Sequence, residues 1–178
     1  MIAATVEIRC QRILLRPWRS GDEEALVRYA NNREIWKNLR DRFPHPFTWK
    51  DAEEWIALVK AQGNPPLNFA ILFAGEPIGG VGLERLSDVY RMTAEVGYWL
   101  GEPFWGRGLA TEAVQTTVSY AFDHFDFERL QAGVYEWNPR SCRVLERAGF
   151  KCEARLKRSV FKGGRLLDSL LYARLRNE

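Results

Sequence analysis

Three groups of residues in this 178-residue chain could do chemistry. The first is Trp105-Gly106-Arg107-Gly108-Leu109-Ala110-Thr111, which follows an alternating segment and opens a helical pattern. Amides at a glycine-rich turn into a helix point outward without partners, and the helix dipole adds positive potential there. A phosphate or pyrophosphate fits such a turn: the glycines let the backbone approach it, and Arg107 adds charge. The same spacing also suits a tight strand-to-helix connection that binds nothing. Two familiar phosphate loops are excluded. A P-loop needs Lys-Ser/Thr after its last glycine, where this chain has Leu109-Ala110. A dinucleotide fingerprint needs a small residue where Thr111 stands, and Glu128 matches its acidic position only in part. That fingerprint also leads a parallel βαβ unit, whereas antiparallel-looking strands precede the turn here.

The second group is Asn138-Pro139-Arg140-Ser141-Cys142-Arg143, which reads as a helix start with an N-cap residue and Pro in the first turn. Cys142 lies between two arginines near that N-terminus, where a thiolate is favoured, so an acyl-cysteine route is conceivable. No His or Asn/Asp partner for such a nucleophile stands out. The third group is the carboxylates Glu84 and Glu95 on neighbouring strand segments. Metal chemistry has few ligands to draw on. The two histidines, His45 and His124, and the three cysteines, Cys10, Cys142 and Cys152, show no C-x-x-C or other zinc spacing.

The elements that must position these groups follow from periodicity. Residues 12–17 read as a strand. Ser20 with Glu23, and Thr48 with Asp51, read as capping boxes that open two helices, with Arg40–Phe47 as a loop between them. Leu67–Phe73 and Ile78–Leu86 read as a hairpin. Gly79, Gly80 and Gly82 in the second strand suggest a bulge or a close backbone approach. Thr93–Leu100 alternates, with Ala94, Val96, Tyr98 and Leu100 on one face and Glu95, Gly97 and Trp99 on the other. A long helix follows Gly108, then a strand at Arg129–Tyr135, a helix ending at Gly149, and a hairpin around Lys162-Gly163-Gly164. The expectation is an α/β (α+β) domain over residues 1–178, a mixed sheet of about seven strands flanked by about four helices.

Composition narrows the class of function. Hydrophobic residues at 46%, charged at 28% and aromatic at 13% describe a folded chain and not a disordered one. No run of about 18 apolar residues is present, and Glu7, Arg9, Arg12 and Arg16 interrupt any apolar leader, so a cytoplasmic protein off the membrane is expected. A net charge of +3 is too small to argue for nucleic acid. It is unevenly spread: Arg143–Glu178 holds ten basic and four acidic residues, a local +6, leaving −3 elsewhere. That basic third could serve an anionic ligand or simply be a solvated hairpin.

Trp105–Ala113, Asn138–Ser141, Leu145–Phe150 and the strand Glu95–Leu100 together resemble the motifs of the GNAT N-acetyltransferase superfamily. Within it, Ile13–Leu175 is similar to the ribosomal-protein N-terminal acetyltransferases, a branch also marked by Pro44–Trp55. The superfamily loop often starts with Gln or Arg where this chain has Trp105. The resemblance implies acetyl-CoA as cosubstrate, lying where two central parallel strands of a mostly antiparallel twisted sheet splay apart. Backbone groups of Tyr98, Trp99 and Leu100 would bond the pantetheine arm. Trp105, Gly106, Arg107, Gly108, Leu109, Ala110 and Thr111 would hold the pyrophosphate, with Asn138 at the pantetheine and Arg143 near the phosphates. Glu95, with Glu84 as alternative, would act as base, and Ser141 would protonate the leaving thiolate; direct transfer argues against the Cys142 route.

The acceptor implied is a primary amine. At pH 7.5 an α-amine of pKa about 7.7–8.0 is roughly one-third neutral, while a lysine near 10.4 is roughly 0.1% neutral, a difference of about 3.5 kcal/mol in deprotonation cost. With both histidines outside the motifs, the easier amine is favoured: a protein or peptide N-terminus. Alternatives are a small amine (polyamine, amino sugar or amino-acid-like) or a CoA-binding sensor without turnover. Trp36, Phe43, Phe47, Tyr90 and Trp99 could wall an acceptor groove, and Asn32 and Arg33 could orient a peptide backbone. A monomer or a homodimer would fit, and neither metal nor nucleic acid is expected.

Overall fold

The computed structural model describes residues 6–177, so residues 1–5, part of the stretch read for a leader, lie outside the described residues. Its strands are β1 (Ile8–Arg9), β2 (Ile13–Pro17), β3 (Asn68–Phe73), β4 (Glu76–Arg85), β5 (Thr93–Leu100), β6 (Arg129–Tyr135), β7 (Lys151–Lys162) and β8 (Arg165–Leu175). Its helices are α1 (Glu23–Ala30), α2 (Arg33–Trp36), α3 (Trp49–Ala61), α4 (Leu109–His124) and α5 (Pro139–Arg147). The strands form one sheet in the order β1-β2-β3-β4-β5-β6-β8-β7. Every neighbouring pair is antiparallel except β5 and β6.

The count exceeds the sequence expectation by one strand and one helix. β1 is only two residues long, and α2 is a single turn nucleated by Asn32, whose side chain accepts from the amides of Glu34 and Ile35. The box expected at Ser20 and Glu23 is not made. Asp22 occupies the N-cap position of α1 without capping it. Its carboxylate is committed to Arg16, both contacts at 2.7 Å and both side chains buried. Ser20 instead accepts from Lys60. The Thr48–Asp51 box forms as read and fixes the start of α3.

Two apolar clusters sandwich the sheet. One joins Leu15, Ile71, Ala94, Val96 and Leu130 to Leu109, Val114 and Val118 of α4 and Leu145 of α5. The other joins Trp18, Ala70 and Leu72 to Leu26 of α1 and Ile56 of α3, with Trp99 packed against it. Fully burying each Leu, Ile or Val side chain contributes about 1.5–3 kcal/mol, so both layers hold the sheet firmly. The alternation read in β5 is therefore real: Ala94, Val96 and Leu100 face α4, and Trp99 faces the opposite layer. Close approach explains the β4 glycines, most strictly Gly79, which faces backbone. A Cβ on Gly79 would lie 2.4 Å from the Trp99 carbonyl oxygen, and one on Gly82 would lie 2.0 Å from Asn68 Oδ1.

The feature that creates a site is the brevity of the parallel pairing. β5 and β6 are in register only at Thr93–Arg129, Ala94–Leu130 and Glu95–Gln131. Beyond that point β5 stays with β4 as far as Leu100, and β6 stays with β8 as far as Tyr135. Two backbone edges thus diverge, and buried amides and carbonyls without partners are costly, so such edges call for a ligand or water.

Candidate active site

A single cleft of roughly 1980 Å³ passes through this splay and reaches both faces of the sheet. On the α4 face it is bounded by the turn into that helix. Gly106 and Gly108 both have φ of 77°, the left-handed region that glycine enters without a Cβ clash. Gly108 is the N-cap of α4 and supplies no side-chain acceptor. Among the described residues, no backbone hydrogen bond uses the amides from Gly106 to Thr111. Those of Gly106 and of Gly108–Thr111 line the cleft and remain free to donate into it, where positive helix-end potential reinforces them. Arg12, which sequence reasoning missed, braces the turn. Its backbone and guanidinium bond Glu112 at 2.7 and 2.9 Å, and the guanidinium also donates to the Arg107 carbonyl at 2.5 Å. The signal was faint, a single arginine almost a hundred residues upstream of its partners.

Arg107 itself does not line the cleft; its guanidinium lies 5.7 Å from the Phe104 ring centre. Trp105 lines it, and its indole N–H donates to the Leu100 carbonyl at 2.6 Å. That bond occupies one of the backbone acceptors expected to be open on β5. Arg140 lies over the Trp105 ring, and exposed Arg143 lines the same mouth.

Where the strands part, β5 and α5 are joined by a hydroxyl pair. Tyr98 Oη lies 2.6 Å from Ser141 Oγ and 3.2 Å from the Ser141 carbonyl oxygen. Burial pushes the Tyr98 phenol well above its ordinary value, so it stays protonated. Its single proton has two uses. If it goes to the Ser141 carbonyl, Ser141 Oγ–H must donate to Tyr98. If it goes to Ser141 Oγ, the serine proton is free to turn into the cleft. Asn138 caps α5 by accepting from the Ser141 amide at 3.3 Å, which fixes that serine in the first turn. Cys142 Sγ is directed at the Asn138 carbonyl oxygen, 3.7 Å away, and the side chain packs into the α4-side core.

On the α1–α3 face the cleft is built from side chains. Glu84 and Glu95 stand directly opposite each other on β4 and β5, a like-charge pairing that is unfavourable alone. Arg40, from the loop between α2 and α3, bonds both of them. Arg42 grips Glu84 with contacts of 3.1 and 2.5 Å. This bond holds the Glu84 carboxyl below its usual range. Gln131, at the last paired position of β6, approaches Glu95 at 3.5 Å. Gly97 leaves the strip between Glu95 and Trp99 clear, since a Cβ there would meet nothing within 4 Å.

Of the aromatic residues considered for this wall, Phe43, Phe47 and Trp99 line the cleft; Phe43 packs tilted against Phe47 at 5.2 Å and edge-on to Trp99 at 5.8 Å. Tyr90 and Trp36 do not line it. Tyr90 is exposed on a short turn. Trp36 instead carries the ammonium of Lys162, 3.8 Å from its ring centre. Lys162, 2% exposed at the end of β7, also bonds Asp41 at 2.6 Å and so ties the α2–α3 loop to the β7–β8 hairpin. Asn32 is spent on capping α2 and on Glu102.

Comparison with known proteins agrees with this architecture. A family model described as an acetyltransferase (GNAT) domain matches residues 12–151. The probable N-acetyltransferase YjcK of Bacillus subtilis (strain 168) is 39% identical over 86% of this chain and 88% of its own length. A ribosomal-protein-serine acetyltransferase of Escherichia coli (strain K12) is 33% identical, over 60% of this chain and 59% of its own. A solved structure of RimL, a ribosomal L7/L12 alpha-N-protein acetyltransferase in complex with coenzyme A, superposes with a TM-score of 0.84 at 20% identity, covering 96% of this chain and 98% of that one. The splayed parallel pair, the glycine turn into α4 and these relatives together place the chain in the GNAT acetyltransferase family, as an N-acetyltransferase whose relatives include ribosomal-protein acetyltransferases.

Proposed function

We propose that the protein transfers an acetyl group from acetyl-CoA directly to a primary amine, the α-amine at a protein or peptide N-terminus. The observation that carries this reading is the continuity of unpaired backbone. The free edges of β5 and β6 begin at Glu95 and Gln131 and open toward the unpaired amides of Gly106–Thr111. An extended amide-containing arm fits the first, and a pyrophosphate fits the second. Tyr98, Trp99 and Leu100 offer the edge, although the Leu100 carbonyl already accepts from Trp105. Arg143 adds charge at the mouth.

Acetyl-CoA supplies an activated thioester when bound. The chain's own residues then have two protons to handle. Glu95, at the crotch of the splay, receives the one lost by the amine, directly or through a water. Glu84 is the alternative base, with its carboxyl held low by Arg42. Ser141 delivers the other proton to the departing sulfur, held in place by Tyr98 through their 2.6 Å contact, and solvent carries the proton taken up by Glu95 back to the serine. The relatives acting on ribosomal proteins support an N-terminal acceptor.

The test is CoA release from acetyl-CoA with N-terminal peptides and with small amines, using wild type and Gly108→Trp. At φ 77° with Arg12 already 3.2 Å from a Cβ position, a tryptophan strains the turn and displaces its brace. Peptide-dependent release that vanishes in the variant is the expected result. Release with small amines alone would discard the acceptor. Binding of acetyl-CoA with no release in any pool would discard the transfer itself.

A further inference from the structure

Resting on the peptide-amine reading above, we infer that the acceptor lies extended between Gly97 and Gly133, and that Tyr135 is a specificity-determining residue: its hydroxyl donates to a backbone carbonyl at the acceptor's third or fourth residue. The acceptor class is thus an N-terminus with a free extended segment, and single amino acids and dipeptides lack this contact.

On the α1–α3 face, β6 mirrors β5. Leu130, Ala132 and Val134 pack into the α4-side core, so Gln131, Gly133 and Tyr135 face the other way. They run parallel to Glu95, Gly97 and Trp99 of β5, and all six line the cleft. Each strand therefore presents a polar residue where the pairing ends, then a glycine, then an aromatic ring.

Glycine inside a strand gives up stability and marks a place where another chain comes close. Gly80 and Gly82 of β4 meet that neighbour within the protein. A Cβ on Gly80 would lie 3.0 Å from the Trp99 indole nitrogen, and one on Gly82 would lie 2.0 Å from Asn68 Oδ1. Gly97 and Gly133 have no such neighbour. A Cβ on Gly97 would meet nothing within 4 Å, and one on Gly133 would meet only Ser169 Oγ at 3.4 Å, an ordinary contact. Neither glycine has a positive φ. Neither packing nor backbone conformation demands them, and together they leave a bare floor from Glu95 and Gln131 toward the parting strand ends.

At the far end of that floor stands a hydroxyl without a partner. Tyr98, Tyr120 and Tyr172 each have one, in Ser141, the Pro66 carbonyl and Glu146. Among the described residues nothing bonds the hydroxyl of half-buried Tyr135. Burial pushes its phenol above the ordinary value, so it keeps a proton to donate. Its backbone is held on both sides, by pairing with Ser169 of β8 and by the Asn138 amide, which donates to its carbonyl at 2.8 Å. From Gln131 to Tyr135 the strand rises about 13 Å. An extended peptide with its amine at Glu95 brings its third or fourth carbonyl to that level.

The experiment measures kcat/KM for a series of neutral, C-terminally amidated acceptors of one, two, four and six residues that share the same first residue. It uses wild type, Tyr135→Phe and Gly133→Ala, with acetyl-CoA affinity followed by calorimetry. In wild type, kcat/KM should rise about two- to tenfold between two and four residues, the size of one hydrogen bond, and then level off. Tyr135→Phe should abolish that rise and leave the one- and two-residue acceptors unchanged. Gly133→Ala should raise KM severalfold for the longer peptides, leave acetyl-CoA affinity within twofold and not lower the unfolding temperature. A merely structural role would move stability and all acceptors together. The wild-type series tests the inference even if a variant does not fold. Equal kcat/KM at every length in wild type, an equal loss at every length in Tyr135→Phe, or weakened acetyl-CoA binding in Gly133→Ala would overturn this inference and leave peptide acetylation standing. Turnover of small amines such as spermidine with no peptide of any length would overturn both.

Discussion

The two faces of the splay are built from different materials. On the α4 side the recognition groups are backbone: left-handed glycines, free amides and bare strand edges. On the α1–α3 side they are side chains in a web of ion pairs, Arg40, Arg42, Glu84 and Glu95, on a loop tied down by Lys162. A backbone cradle accepts one shape and tolerates little change in chain conformation. A side-chain web keeps its scaffold when its residues change, so it can be retuned. The difference suits a protein that keeps one donor and varies its acceptor.

Breaking the backbone side should cost most in rate. Ser141→Ala is expected to lower kcat about tenfold to a hundredfold at saturating acetyl-CoA, the low end for a general acid, because a thiol of pKa near 8.5 leaves fairly well unaided. Tyr98→Phe should cost several-fold, and should add almost nothing once Ser141 is Ala. Full additivity in that double-mutant cycle would separate the tyrosine from the serine.

The side-chain face should respond in KM. Gly97→Val suits a strand and fills the open strip beside Glu95. Its expected effect is about a tenfold rise in acceptor KM, with acetyl-CoA affinity kept within twofold by calorimetry. A matching loss of acetyl-CoA affinity would mean that the strip serves the donor.

Lys162→Met keeps the buried stem and removes the ammonium from Asp41 and Trp36. Asp41 is well exposed and is rehydrated, so the loss should be modest, about 1–2 kcal/mol in chemical denaturation. Proteolysis within residues 37–47 should become faster. Unchanged cleavage there would show that the tie does not hold the loop.

The smallest effect expected is on pH. Glu84 and Asp51 both have lowered folded-state values, through the Arg42 contact and the Thr48 box. Their stabilisation is present above the ordinary carboxyl range near 4 and is lost as pH falls through the lower folded values. Acid release of the 37–47 loop should therefore begin below about pH 4 and shift upward in Arg42→Gln. A midpoint that does not move would place the acid-sensitive contact elsewhere.

The same division explains what could be read beforehand. β5, β6 and the α4 turn are local patterns, alternation followed by glycines before an apolar helical stripe, and the structure matches them residue for residue at Thr93–Leu100 and Arg129–Tyr135. The false box at Ser20 fails because α1 starts later, with Asp22 at the N-cap position, and Ser20 accepts instead from Lys60, forty residues away, a contact that no local pattern encodes. Arg12 at the glycine turn and Arg40 between two glutamates are equally non-local. Tyr90 and Trp36 were plausible groove aromatics by type alone; the one lies on an exposed turn and the other is used by Lys162.

The bond from Lys162 to Asp41 spans 121 positions of sequence. The mouth proposed for the acceptor is thus a composite of two distant segments, and neither is a transferable module. Grafting residues 37–48 onto a relative without the matching hairpin tip should yield a chimaera with an untethered mouth and relaxed selectivity. Substitutions in the two segments should therefore be coupled, and a double-mutant cycle across Asp41 and Lys162 would read that coupling.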